Sequence, residues 1–448
     1  MVCALVALAP AVGRADGLAV VGGSPRAIGR AGAAVVGDDG AGALLINPAA
    51  MARRDTLRAE IGAAVLDDTV EWESDAIGAP RSSGRAGSKI APVGAAIGAI
   101  GDWVLGVGAM TAAVVERALP RPGDVPGTAP DKLGATYDYR YAGIAGSYRR
   151  DTLALGVARR LGDSLALGAA LGAARVAVYE HRRIWASAAA RDPEAVPEAD
   201  LDLRMSATDP FSLSAVAGLL YAPAEAPIEV GASVGWTDVV RLDGTVAAVG
   251  SPDTRIAALA DAARATMHVS QPLALRAGGR YVGDRVVAEL DGDLWIARAG
   301  SGSTAWSMRG LSVADGAHPA VDVGRVPSRI SQQTHLAVRA AVDVALVPGF
   351  LWATAGYAYS TRATPASQLS PSFGDLGGHT LGLGLETTAG SVTVTLGWSR
   401  TWSQRTSAAS DLRLDSAYPG SDGPVLPGTY DGGSIDQVGV LVAAELGR

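Results

Sequence analysis

The residue types able to do chemistry do not assemble a reaction centre along this chain. Five histidines, His181, His268, His318, His335 and His379, are scattered and fall mostly in loop segments. There is no HExxH pair, so neither metal nor Ser-His hydrolytic chemistry is supported. A Walker phosphate loop and a GxGxxG turn are both missing, so nothing points to nucleotide drive. The charged residues that stand out are Glu229, Glu289, Asp291, Asp293, Arg339, Asp343 and Glu386, each alternating with apolar neighbours. Paired carboxylates need a shared pocket to act as acid and base. This spacing instead suits a salt-bridged inner wall. The reading is therefore a non-enzyme, with no catalytic residue, cofactor or metal expected.

Composition narrows the class. The chain has 448 residues, 48% hydrophobic and 19% charged, with a net charge of −7. That is too long for one ordinary soluble core and too apolar for disorder. The 57 glycines are close to twice the usual share of about 7%, yet no Gly-X-Y period appears, which excludes collagen. An acidic balance argues against nucleic acid as a partner. Basic residues are almost all arginine; Lys89 and Lys132 are the only lysines. Cys3 is the only cysteine, so no disulfide framework or cysteine zinc site exists.

The elements that carry those charges are hairpins. Ile90 to Val115 holds one charge, Asp102, and is long enough to span a bilayer as a helix. Its centre, Ile100-Gly101-Asp102-Trp103, is a turn, and its glycines weaken a helix, so it reads as two strands. The pattern recurs as Leu153–Arg160 with Leu165–Tyr179, Leu213–Tyr221 with Ile228–Trp236, and Leu273–Tyr281 with Val286–Ile296. Val338–Leu346 with Leu351–Tyr359 and Thr380–Glu386 with Val392–Trp402 complete the set, and Leu57–Leu66 and Val438–Leu446 open and close it. The total is about fourteen strands. Short turns alternate with long polar segments: 117–136, 181–210, 238–271, 299–334, 361–378 and 405–434. That asymmetry marks an outer-membrane barrel rather than a sandwich or propeller.

Faces alternate with period two. Val392, Val394, Leu396, Trp398 and Trp402 oppose Ser391, Thr393, Thr395, Gly397, Ser399 and Thr401. A sheet with one solvated face would share this pattern. Aromatics favour lipid. Trp103, Trp352, Tyr221 and Tyr281 flank short turns, while Tyr179, Trp236, Trp295, Tyr359, Trp398 and Trp402 lie towards the long segments, as two girdles require.

The beginning differs. Val2 to Val12 is apolar and Gly13-Arg14-Ala15 suits cleavage after Ala15, so residues 1–15 are expected to be a signal peptide, although the usual basic leader is missing. Residues 16–56 are Gly/Ala-rich without strand alternation. Asn47-Pro48 reads as a cap opening a short helix at Pro48–Arg53, and a second helix is expected from Asp38 or Asp39. Such a segment suits a plug inside a barrel spanning 57–448, which would otherwise hold an aqueous hole.

Gly29-Arg30-Ala31-Gly32-Ala33-Ala34, Asp38-Asp39 and Asn47-Pro48-Ala49 resemble the N-terminal hatch signature of FadL-type outer-membrane transporters. Ala158-Arg159-Arg160-Leu161-Gly162-Asp163-Ser164-Leu165, Gly218-Leu219-Leu220-Tyr221-Ala222-Pro223 and Gly356-Tyr357-Ala358-Tyr359 are similar to later pieces of that family, in order. The resemblance implies a fourteen-stranded barrel with a hatch in the bacterial outer membrane. It implies passive transport of long-chain fatty acids or related apolar compounds, with lateral release through the wall. Asn47, Pro48 and Ala49 would form the hatch contact. The kinked wall strand would be Trp103–Glu116, with Gly106 and Gly108 facing inward as the kink candidates. Ile184, Trp185, Leu201 and Phe211 are apolar loop positions suited to ligand capture or to interfacial anchoring. Expected partners are the ligand, outer-membrane lipids with lipopolysaccharide, and the barrel assembly machinery, the chain acting as a monomer. The alternative is a general porin or structural barrel with no dedicated ligand. The chain ends Glu445-Leu446-Gly447-Arg448, without the terminal aromatic usual in such barrels, which bears on assembly efficiency.

Overall fold

The computed structural model describes residues 23–74, 82–85, 87–119, 139–188, 200–250, 254–302, 304–316, 318–407, 416–418 and 428–447. The expected signal peptide lies outside the described residues. Fourteen strands make the wall. They are β1 (Leu57–Ser74), β2 (Lys89–Ile100), β3 (Trp103–Ala118), β4 (Ala145–Leu161), β5 (Leu165–Trp185), β6 (Asp200–Tyr221) and β7 (Ile228–Thr237). They continue as β8 (Leu273–Val282), β9 (Val286–Ile296), β10 (His335–Val347), β11 (Leu351–Ser360), β12 (Gly378–Ala389), β13 (Val392–Ser403) and β14 (Gly428–Leu446). Every strand pairs antiparallel with its chain neighbour, and β14 returns to β1 with Leu57 opposite Leu446. Closing the sheet into a ring removes the two free edges an open sheet would expose to lipid.

Each expected short turn joins the strands it was assigned to. Gly101, Gly162, Gly349 and Gly390 sit in those turns with positive φ. Ile61, Leu105, Leu155, Leu171, Leu290 and Leu396 point outward and are exposed, an apolar belt suited to acyl chains rather than water. No helix among the described residues is long and apolar enough to cross a membrane, so the strands carry the apolar surface.

The long segments are not all irregular. Strands β5 and β6 run on past the rim to Trp185 and back from Asp200. Val240–Gly250, Thr254–Val269, Thr304–Asp315 and Arg325–Ser328 pair in turn onto the upper part of β6. The cause is period-two patterning within stretches expected as loops. Leu203, Met205, Leu242, Met267, Trp306 and Met308 bury together, and the wall's Val115 and Tyr148 join the same core. The result is a sheet laid over the mouth.

Two girdle assignments are corrected. Trp352 shares the inward parity of Thr354 and Gly356 and lines a lumen pocket with Arg26 and Glu386. Trp295 faces the lumen and stacks on His335, with ring centroids 4.6 Å apart. It shares the inward parity of Glu289, Asp291 and Asp293. Trp103, Tyr221 and Tyr281 at the short-turn end and Trp236 and Trp402 at the other end are exposed on the outside.

The leading segment lies inside the ring. Helix α1 (Pro25–Gly29) touches β11 to β14, while a 3-10 turn at Pro48–Arg53 touches β3 to β6 on the opposite wall. Asn47 caps that turn, its Oδ1 accepting from Ala49 N at 3.3 Å. The second helix starts at Ala41, not at Asp38 or Asp39. Asp38 instead accepts from Gly40 N and from Ser24 Oγ, which holds the chain in a turn through Gly40.

Candidate functional site

The inner wall and the leading segment are built for each other. On β9, Glu289 and Asp291 point inward one residue apart, as the strand period requires. Glu289 Oε1 accepts from Val36 N at 2.8 Å and Gly37 N at 3.0 Å, and Asp291 Oδ2 from Ala34 N at 2.8 Å and Val35 N at 3.0 Å. Arg30 places its guanidinium between Glu289, at 2.5 Å, and Asp343. Arg53 meets Glu229, Arg26 meets Glu386, and Arg54 bridges Asp39 and Glu445. The inward charges expected to pair along the wall thus pair largely with arginines of the plug. Wall-to-wall pairing also occurs, between Arg339 and Asp293 and between Arg280 and Glu229, the latter at 3.2 Å. Sequence spacing missed Arg26, Arg53 and Arg54. Their wall partners, Glu386, Glu229 and Glu445, lie far away in sequence, 176 positions for Arg53 and 391 for Arg54.

The charges inside the plug set two carboxyls apart. Burial pushes Asp38 up, and the nearby Glu60 adds to this. Burial also raises Asp39, but Arg54 and Arg26 outweigh it and hold that carboxyl below its usual range.

Apolar packing finishes the seat. A Cβ added at Gly168 would lie 2.3 Å from Ala49 N, and one at Gly356 2.2 Å from Arg30 C. Only glycine lets the wall backbone come this close. Asn47 Nδ2 donates to Val35 O at 2.8 Å and to Leu219 O at 3.2 Å, tying plug to wall.

Above the plug lies a cavity of about 260 Å³. Val35, Leu45 and Ile46 of the plug form its floor, and Trp295, Ile330 and His335 bound it further up. Arg150, Thr152 and Ser214 line one side. Arg150 is 9% exposed, its Nη1 donates to Ser212 Oγ at 3.4 Å, and its Nη2 has no hydrogen-bond partner. Among the described residues no carboxylate reaches it at ion-pair distance. Ala112 and Ala113 of β3 also line this cavity.

Those alanines sit where the wall changes. Pairing between β3 and β4 shifts register between Thr111 and Ala113, a β-bulge. Pairing between β2 and β3 stops at Val93 opposite Met110, although β2 stays paired to β1 as far as Lys89. Pro92 is the next residue of β2. It has no N–H to donate, and proline inside a wall strand marks an interrupted ladder. That signal was available in the sequence.

The expected site residues fall as follows. Asn47, Pro48 and Ala49 are buried at the plug–wall contact. Gly106 and Gly108 face inward as expected; a Cβ at Gly106 would meet Met51 Sδ at 2.8 Å and one at Gly108 Leu44 Cδ1 at 2.8 Å. Both are paired in regular register; the irregularity falls on the same expected strand, Trp103–Glu116, but at Thr111–Ala113. The four loop positions do not form a capture groove. Ile184 and Leu201 face each other in the core of the upper sheet, and Trp185 packs with Tyr141 and Tyr430. Phe211 is 63% exposed on β6, beside the apolar belt.

No family model matches the chain, and no curated protein matches it. Solved structures do. A FadL homologue from Pseudomonas aeruginosa superposes with a TM-score of 0.71 at 13% identity, covering 96% of this chain and 100% of its own. The toluene transporter TodX of P. putida gives 0.66 at 14% identity, covering 96% and 100%. The toluene transporter TbuX of Ralstonia pickettii gives 0.65 at 12% identity, covering 94% and 98%. The likeness in fold extends over nearly the whole chain. The chain has the fold of the FadL-type outer-membrane transport proteins.

Proposed function

We propose that this chain carries hydrophobic molecules passively across a bacterial outer membrane and releases them sideways into the bilayer. One observation carries the reading. The lumen cavity above the plug is lined by Ala112 and Ala113, the residues at which β3 bulges and parts from β2. A poorly soluble solute gains nothing from an aqueous pore. An apolar chamber next to a break in the wall gives it a route that avoids water. The plug, seated by Asn47, Pro48 and Ala49 and by the arginine clasps, closes the straight path. Gly106 and Gly108 contribute by letting Leu44 and Met51 seat against β3.

The chamber is not wholly apolar. A buried guanidinium without a carboxylate favours an anion, so Arg150 with Thr152 suits a ligand with a carboxylate head and a greasy body, such as a fatty acid. The toluene transporters that share this fold keep a neutral aromatic solute in contention. The wall closes within one chain, which fits a monomer. The direct test is flux of labelled oleate and of toluene into liposomes holding the full-length chain. Selective flux of either supports the reading, and flux of neither above empty liposomes overturns it.

A further inference from the structure

Between Met110 and Glu116, β3 passes the end of β2 with no backbone pairing. Side chains cross that gap instead. Lys89 Nζ of β2 lies 2.6 Å from Glu116 Oε2 of β3. Arg149 of β4 reaches over β3, its Nη1 donating to Ile90 O at 3.2 Å and its Nη2 to Thr111 Oγ1 at 2.9 Å. Further in, Arg117 Nε donates to Asp68 Oδ2 of β1 at 2.7 Å, and Arg117 Nη1 to Gly374 O at 2.6 Å.

These contacts differ in how firmly they hold. Asp68 and Arg117 are buried, so breaking them would strand charge away from water. Lys89 and Glu116 keep 26% and 43% of their side chains exposed, and such pairs are weak and screened by salt. Lysine is also the mobile choice, a point charge on a flexible stem, where arginine would lock a planar fork. It is placed here in a chain that uses arginine almost everywhere else.

We propose that the Lys89–Glu116 pair and the Arg149 bridge form a yielding clasp that sets the width of the sideways exit, and so the largest solute that passes. Asp68–Arg117 is the fixed post against which it opens. The inference rests on the exit reading above. It makes the solute cut-off a property of three side chains outside the cavity, and it makes that cut-off depend on ionic strength.

The test uses the full chain in two formats. In nanodiscs, spin labels at Ile90→Cys and Ser147→Cys, with Cys3→Ser, read the distance between β2 and β4 at the level of the clasp. In liposomes, flux of pyrene relative to toluene reads the cut-off. Glu116→Gln, Lys89→Met and Arg149→Met should lengthen and broaden the distance and raise the pyrene-to-toluene ratio several-fold. High salt should do the same to the wild type and little to Glu116→Gln. Heat-modified gel mobility identifies folded variants. Folded variants with wild-type distances and an unchanged ratio overturn the clasp alone. A wild type that passes neither solute overturns the exit reading and the clasp's role with it.

Discussion

Arg30 of the plug and Glu289 of β9 lie 2.5 Å apart, nitrogen to oxygen, both shielded from water. Glu289 spends its second oxygen on the backbone of Val36 and Gly37, and Arg30 spends its second nitrogen on Asp343. One side chain from each partner therefore fixes a whole turn of the plug. Arg30→Met would leave two buried carboxylates without their cation, a loss of about 3–5 kcal/mol for a broken buried pair. The expected outcome is a loosened plug, read as a rise in ion conductance across planar bilayers. Glu289→Gln keeps an oxygen for the backbone donors and should have the smaller effect.

The close approach of wall and plug gives a second prediction. Gly168→Val would drive a side chain into Ala49, where even a Cβ meets backbone at 2.3 Å. The plug should shift, and proteolysis of its 3-10 turn should quicken. Gly292→Ala on β9 meets nothing within 4 Å and should behave as wild type.

Asp38 and Asp39 should respond to pH in opposite ways. Burial raises Asp38, and Glu60 adds to it, so its ionised form costs stability at neutral pH, and protonation as pH falls relieves that cost. Asp39 is lowered despite burial because Arg54 and Arg26 hold its charge. Its stabilisation is complete above the unfolded value of about 3.9 and is lost as pH falls below it. At pH 7, Asp39→Asn should therefore lower the thermal midpoint of plug release, and Asp38→Asn should raise it. The Asp39→Asn difference should shrink below about pH 4. Equal shifts at pH 7 and pH 3 would contradict this.

Arg150 makes the ligand's head testable. Arg150→Met keeps bulk and removes the charge facing the cavity. Oleate flux should fall several-fold while toluene flux holds. Equal losses for both would place Arg150 in structure rather than selection.

Much of this was legible in advance, and the misses have physical causes. The outward stripe of Val392, Leu396 and Trp398 and the inward Glu289, Asp291 and Asp293 follow from period two alone. That Arg30 would answer Glu289 did not follow, because local spacing says nothing about a partner 259 positions away. Trp295 and Trp352 lie near strand ends, where a girdle residue would sit, but their parity with Asp293 and Thr354 puts both inside. The upper sheet was hidden because polar residues between Leu203, Met205 and Trp306 make the segment look like loop, whereas its apolar side buries over the mouth. Pro92, rather than Gly106 or Gly108, is the residue that marks the break in pairing. Glycine permits close approach without breaking a ladder, and proline removes a donor outright.

The central claim is that solute leaves the lumen cavity past Ala112 and Ala113. Ala112→Trp would fill that passage from the cavity side. Flux of toluene and oleate should be measured in liposomes for this variant and the wild type, with gel mobility confirming a folded barrel. The account predicts near-complete loss of both fluxes in a folded Ala112→Trp protein. Undiminished flux in that variant would contradict it.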